Sequence, residues 1–125
     1  MKTVLVVDDN HVLCRLACDI LRRDGYRAIP ASNATEALAA FEKEEFDLLL
    51  TDLRMPGMNG LELARAIHDK NPRLPVIVMT AFGLVEADDI KVCLPKEDLF
   101  PGLLEKIQLC LSEAEAETVE QYDRN

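Results

Sequence analysis

Five polar residues stand at or just beyond the ends of apolar runs, and their types suit phosphoryl chemistry. Asp8 and Asp9 follow Thr3-Val4-Leu5-Val6-Val7, Asp52 follows Leu48-Leu49-Leu50-Thr51, Thr80 ends Val76-Ile77-Val78-Met79, and Lys96 lies just past Ile90 to Leu94. If the runs are neighbouring strands, three carboxylates, a hydroxyl and an ammonium meet at one edge. Two carboxylates ~4 Å apart repel by roughly 4 kcal/mol at an effective dielectric near 20, so the cluster needs counter-charge. Lys96 supplies one positive charge and a hard divalent cation could supply the rest. Mg²⁺ typically takes one or two carboxylates plus a phosphate oxygen and keeps several waters, which three aspartates can accommodate. With that charge in place, one carboxylate can attack phosphorus and hold it as an acyl phosphate, while the Thr80 hydroxyl bonds a phosphoryl oxygen. Taken alone, Asp52 could also serve only the turn that follows it, Arg54-Met55-Pro56-Gly57-Met58-Asn59-Gly60.

The elements that must position these groups alternate strand and helix. Residues 3–8 form a β-branched run of the kind buried on both faces of a parallel sheet. Asn10 can cap a first helix whose apolar positions are Leu13, Leu16, Ala17, Ile20 and Leu21, closed by Gly25. Tyr26 to Pro30 reads as a strand, and Asn33 with Glu36 resembles a capping box opening a second helix. The central strand is 47–52. A third helix starts at Asn59 or Gly60 and ends at Asn71-Pro72, and Leu74 to Thr80 is a fourth strand. Ile90 to Leu94 is expected to be the last strand, and Leu99 to about Glu117 the last helix. Such alternation implies βαβ crossovers and a parallel sheet with helices on both faces, in which ligands collect beyond the strands' C-terminal ends.

The chain's 125 residues fit one domain. Its composition, 49% hydrophobic and 30% charged, excludes a disordered chain, and no apolar run approaches the ~18 residues of a membrane span. Residues 1–112 are expected to form the domain, and 113–125 an acidic tail prolonging the last helix. Met1-Lys2-Thr3 runs straight into a strand without a secretory pattern, so a cytoplasmic location is expected. Cys14, Cys18, Cys93 and Cys110 lie within apolar patterns and suit reduced thiols. His11, Cys14 and Cys18 share a helical face but lack a fourth metal ligand. A net charge of −9 repels phosphate backbones, which argues against direct nucleic-acid binding and favours a cation or a basic partner.

Four motifs together resemble the receiver domains of two-component response regulators. They are Val6-Val7-Asp8-Asp9-Asn10, the segment from Thr51-Asp52 through Pro56-Gly57 to Gly60, the segment from Pro75 to Thr80-Ala81, and Leu94-Pro95-Lys96. The resemblance spans the chain to about Leu111. It implies an α/β fold with a doubly wound five-stranded parallel sheet of order 2-1-3-4-5, flavodoxin-like and CheY-like; this order is carried over from the family. It implies that Asp52 accepts a phosphoryl group from a phosphohistidine on a sensor histidine kinase or phosphotransfer protein. Asp9, Asp52 and the backbone carbonyl of Arg54 would bind Mg²⁺ directly, Asp8 would act through water, and Thr80 and Lys96 would sense the phosphoryl oxygens. The protein would then catalyse only its own phosphorylation and dephosphorylation, and act through a downstream protein partner.

Three departures from the family pattern lie between Thr80 and the last helix. Thr80 and Lys96 are only 16 positions apart, fewer than is usual in receivers, so the fourth helix must be shortened or unwound. Cys93 stands where receivers usually carry an aromatic switch residue. Glu97, not proline, follows the lysine; a cis bond costs ~2.5–4 kcal/mol without proline, so Lys96-Glu97 is expected to be trans. Two other readings compete with a switching receiver. One is a receiver-shaped interaction module that no longer switches. The other is a small phosphatase with an aspartyl nucleophile, disfavoured because Arg54 occupies the place of that class's second acid.

Overall fold

The computed structural model describes residues 1–81 and 83–123, with side chains through Ala116. Five strands, β1 (Thr3–Val7), β2 (Arg27–Ala31), β3 (Leu48–Asp52), β4 (Val76–Thr80) and β5 (Val92–Pro95), form one sheet. All neighbouring strands are parallel, in the order β2-β1-β3-β4-β5. Every residue of β1, β3 and β4 is buried, as continuous Val, Leu and Ile runs require when helices cover both faces.

Helices α1 (His11–Arg23) and α4 (Leu99–Asp123) cover one face, and α2 (Ala34–Lys43) and α3 (Gly60–Lys70) cover the other. Alternate strand residues feed the two cores. Val4, Val6, Leu48, Leu50, Ile77 and Met79 meet Leu21 of α1 and Leu103 and Ile107 of α4. Leu5, Val7, Leu49, Val76 and Val78 meet Leu63 and Ile67 of α3. Truncating one such leucine to alanine costs about 2–5 kcal/mol.

Helix ends are fixed by local chemistry. The Asn10 side chain accepts from the Val12 and Leu13 amides at 3.1 and 3.2 Å. Gly25, at φ +90°, ends α1 in the left-handed region, letting its own N–H and that of Tyr26 turn back to the carbonyls of Arg22 and Leu21. The Asn33 side chain caps α2, but the Glu36 carboxylate turns to the backbone and hydroxyl of Ser32, so the expected reciprocal box at Asn33 is incomplete. The complete box is at α3: Glu62 N–H donates to Asn59 Oδ1 at 2.8 Å, and Asn59 N–H donates to the Glu62 carboxylate at 3.1 Å.

The connection between β4 and β5 differs most from the common plan. Among its described residues there is no helix, only bends and a turn near Ala87–Ile90. β5 begins two residues later than the apolar run suggested, because Ile90 and Lys91 complete the return; the Lys91 N–H donates to the Val76 carbonyl at 2.8 Å and starts the pairing. Asp89 pins this return to α3: its carboxylate meets His68 Nδ1 at 2.7 Å and Arg65 Nε at 3.5 Å. His68 Nε2 meets the Leu74 carbonyl at 2.8 Å, so both ring nitrogens face acceptors. The last helix runs beyond the expected Glu117 to Asp123. No helix among the described residues is long and apolar enough to cross a membrane.

Candidate functional site

Four strand ends converge as their spacing required. Asp52 is the last residue of β3, with 6% of its surface exposed, and Asp8 follows β1 with 1% exposed. Asp9 is solvent-exposed beside it. Among the described residues, Asp8, Asp9 and Asp52 are brought together so that one carboxylate oxygen from each lies within 4.8 Å of the others. Lys96 opens the 3₁₀ turn after β5, and its Nζ lies 3.1 Å from Asp52 Oδ2 and 3.8 Å from Asp8 Oδ2. It reaches Asp52 with no cis peptide bond among the described residues; Thr80 pairs with Pro95, and the next residue is already at the strand's end.

Thr80 closes β4 and is buried at the same edge. Arg54 lies two residues beyond Asp52 in the loop, with its side chain exposed. Loop geometry after the acceptor is fixed by backbone contacts. Leu53 N–H donates to the Met79 carbonyl at 2.9 Å, Gly60 N–H donates to the Leu53 carbonyl at 2.8 Å, and the Thr51 hydroxyl donates to the Asp52 carbonyl at 3.0 Å. A Cβ at Gly60 would overlap the Asp52 carbonyl oxygen, so only glycine lets α3 start this close to the acceptor strand.

The electrostatics leave the cluster short of positive charge. Asp8 Oδ1 accepts from the Asn10 N–H at 2.9 Å, but Oδ2 is buried without a hydrogen-bond donor. Burial pushes the Asp8 carboxyl up to about 6, and the nearby Asp52 charge adds to the rise; the Asn10 N–H and Lys96 oppose it. A buried carboxylate oxygen without a donor, inside a group of three acidic side chains, suits a hard divalent cation. The donor set therefore fits Mg²⁺.

Of the six positions expected from the sequence, the structure brings Asp8, Asp9, Asp52 and Lys96 together, with Thr80 buried at the same sheet edge and Arg54 in the adjoining loop; the contacts that support them were not read from the sequence. Asn59-x-x-Glu62 carries the spacing of a capping box and could have been read; the closeness of Gly60 to Asp52 depends on how α3 docks. The His68–Asp89 contact joins residues 21 positions apart and has no local signature.

Comparison with known proteins agrees with this geometry. The family model of the response regulator receiver domain matches residues 4–96. The transcriptional regulatory protein ZraR of Klebsiella oxytoca is 38% identical over 117 residues, which is 92% of this chain and 26% of that protein. The chain thus spans about a quarter of that relative's length. A response regulator receiver domain protein (CheY-like) from Methanospirillum hungatei superposes with a TM-score of 0.87 at 32% identity, covering 94% of this chain and 98% of that one. The response regulator TrrA of Thermotoga maritima, solved in complex with Mg²⁺-BeF, gives 0.81 at 32% identity, covering 88% and 99%. Receiver domains are signalling phosphoacceptors, not classical enzymes; they bind Mg²⁺ at an acidic site and interact with histidine kinases or phosphotransfer proteins. Sheet order, acidic edge and sequence match agree, and the chain belongs to the response regulator receiver domain family.

Proposed function

We propose that Asp52 is the phosphoacceptor of this chain, receiving a phosphoryl group from the phosphohistidine of a sensor kinase or phosphotransfer protein. The observation that carries this reading is the Asp52 carboxylate itself, held at the end of β3 with the Lys96 ammonium at 3.1 Å and Asp8 and Asp9 beside it. In the transfer, an Asp52 oxygen forms the new bond to phosphorus as the bond from phosphorus to the donor nitrogen breaks. Lys96, already at the carboxylate, pairs with the charge the phosphoryl oxygens bring, and the Thr80 hydroxyl serves the same oxygens. Asp8, Asp9, Asp52 and the Arg54 carbonyl would hold Mg²⁺, which when bound neutralises phosphoryl and carboxylate charge.

Residues 1–112 constitute the receiver in this reading, and 113–123 continue its last helix; residues 124 and 125 of the expected tail lie outside the described residues. In this reading the acidic chain acts through a protein partner, in the cytoplasm. A non-switching interaction module is the second reading, favoured by the connection between β4 and β5, among whose described residues there is no helix through which a change at Thr80 could travel.

Intact-mass measurement after incubation with acetyl phosphate, with and without Mg²⁺, tests both. One phosphoryl increment that requires Mg²⁺ and vanishes in Asp52→Asn is the expected result. No increment, repeated with a phosphorylated kinase as donor, would leave the non-switching module.

A further inference from the structure

Strand β5 is the least secured element on the path that brings Lys96 to Asp52. It is the sheet's edge strand, four residues long, and pairs only with β4. Of its side chains Leu94 is buried, under α4, while Val92, Cys93 and Pro95 are half-buried. A strand with alternating burial resists slipping because a slip of one residue turns its apolar side chains to the wrong face; one buried side chain specifies register poorly. The same slip would carry the following lysine ~3.3 Å along the strand direction, as far as the whole 3.1 Å contact between its Nζ and Asp52 Oδ2. The place of Lys96 therefore depends on what fixes the start of β5.

That start lies at the opposite end of the strand from the acidic site. Asp89 stands just before β5 and Leu74 just before β4, and the half-buried His68 ring of α3 sits between them. His68 Nδ1 is 2.7 Å from the Asp89 carboxylate and Nε2 is 2.8 Å from the Leu74 carbonyl. A ring carrying both protons donates to each. One side chain thus ties the entries of both strands to each other, and the Lys91 N–H begins the ladder on the Val76 carbonyl at 2.8 Å. Other holds at this end are weaker. Arg65 Nε is 3.5 Å from Asp89 on an exposed side chain, and the Lys91–Glu113 pair faces solvent, where ion pairs contribute little. A hollow of about 240 Å³ bounded by His68, Pro72, Ile90 and Cys110 leaves the return without close packing there.

We propose that His68 and Asp89 are positioning residues for Lys96: their bridge to the Leu74 carbonyl sets the register of β5 on β4, and that register holds the Lys96 ammonium against Asp52. The placement of Lys96 is independent of what Asp52 does; its consequence for phosphorylation rests on the reading of Asp52 as the phosphoacceptor.

The reactivity of Lys96 in the full chain tests the placement, with EDTA present so that neither metal nor phosphoryl group takes part. Acetylation by an N-hydroxysuccinimide ester would be read at each lysine by peptide mass spectrometry, with the exposed Lys43 as internal reference. Asp52→Ala should raise Lys96 labelling several-fold by removing its nearer partner. Asp89→Ala should raise it too, but add little in the Asp52→Ala background, where the contact to be positioned is gone; a strand merely loosened would add its effect in both backgrounds. His68→Gln, which can reach only one of the two acceptors, should act like Asp89→Ala, whereas Asp89→Asn keeps an acceptor for the ring and should label like the wild type. With acetyl phosphate and Mg²⁺, Asp89→Ala should slow phosphoryl incorporation several-fold, yet cause no further slowing in a Lys96→Met background. Unchanged Lys96 labelling in both Asp89→Ala and His68→Gln, or an equal increase with and without Asp52, would overturn the proposal. If the wild type incorporates no phosphoryl group while the labelling cycle holds, the phosphoacceptor reading fails and the positioning of Lys96 stands.

Discussion

Replacing Asp8 by asparagine should stabilise the protein in the presence of a chelator, although the substitution removes a residue of the acidic site. Burial lifts the Asp8 carboxyl from 3.8 to about 6, with Asp52 contributing, so the folded protein holds this proton more tightly than the unfolded chain does. The sign follows from that order. Stability from this group is greatest below about pH 4, falls as pH rises toward 6, and the full penalty of the buried charge applies above it. Two units at 1.36 kcal/mol each correspond to about 3 kcal/mol at neutral pH. Asparagine keeps the acceptor for the Asn10 N–H and turns an amide toward the acidic neighbours; it gives up the Lys96 attraction across 3.8 Å. A net gain of about 1–3 kcal/mol remains, which for a domain of this size raises Tm by roughly 3–10 °C. Urea denaturation with EDTA at pH 7.5 and pH 5 measures it. The variant should have the higher midpoint at pH 7.5, and the gap should narrow at pH 5 as wild-type Asp8 takes up its proton. An unchanged or lower midpoint at pH 7.5, or a gap independent of pH, would refute the claim that a buried charge penalty resides at Asp8.

Other perturbations address the supports of the site. Gly60→Ala forces α3 away from the Asp52 carbonyl, so the denaturation midpoint should drop by the ~1–3 kcal/mol of overpacking and phosphoryl incorporation from acetyl phosphate should slow; an unchanged rate would show that the acceptor is not held by this contact. His68→Ala removes the nearer of the two partners of Asp89 and leaves that half-buried carboxylate with Arg65 alone, at a cost of about 1–3 kcal/mol, and limited proteolysis should cut faster within residues 81–91 than in wild type. In thiol titration of the native protein Cys93 should react first, with Cys14, Cys18 and Cys110 following only on denaturation; fast reaction at Cys18, which is 2% exposed, would contradict the packing of α1. Lys96→Met should tighten Mg²⁺ binding several-fold in calorimetry, because the ammonium 3.1 Å from Asp52 competes for the same oxygens; weaker binding would mean that Lys96 orders the carboxylates more than it competes.

The site was readable because its residues are placed by strand ends, and strand ends are marked by where apolar runs stop. Asp8, Asp52 and Thr80 each follow from that rule, since β1, β3 and β4 are buried throughout. β5 obeyed it less well. Its burial is partial, so the apolar run Ile90 to Leu94 does not coincide with the pairing, which is fixed instead by the Lys91 N–H and by Asp89 held on α3. Glu36 shows the same limit at the scale of a cap: the spacing to Asn33 is right, but the nearby Ser32 offers two donors and takes the carboxylate.

The rebuilt connection explains how Lys96 keeps its place without the proline that usually follows it in the family. A lysine at a strand end is positioned by register, and here register is set from the N-terminal side of β5, where His68 and Arg65 hold Asp89 and the Lys91 N–H takes the Val76 carbonyl. Four paired residues later the chain arrives at Thr80↔Pro95, and the next side chain is the ammonium 3.1 Å from Asp52. A helix between β4 and β5 is therefore unnecessary for the acidic site. The connection that stands there instead leaves a hollow of about 300 Å³ that reaches Thr80 and Lys96, so a ligand in it and a charge change at Asp52 would act on the same two side chains. Any coupling between them must be reciprocal: whatever a ligand in that hollow does to the phosphorylation equilibrium of Asp52, phosphorylation does to the ligand's affinity by the same factor.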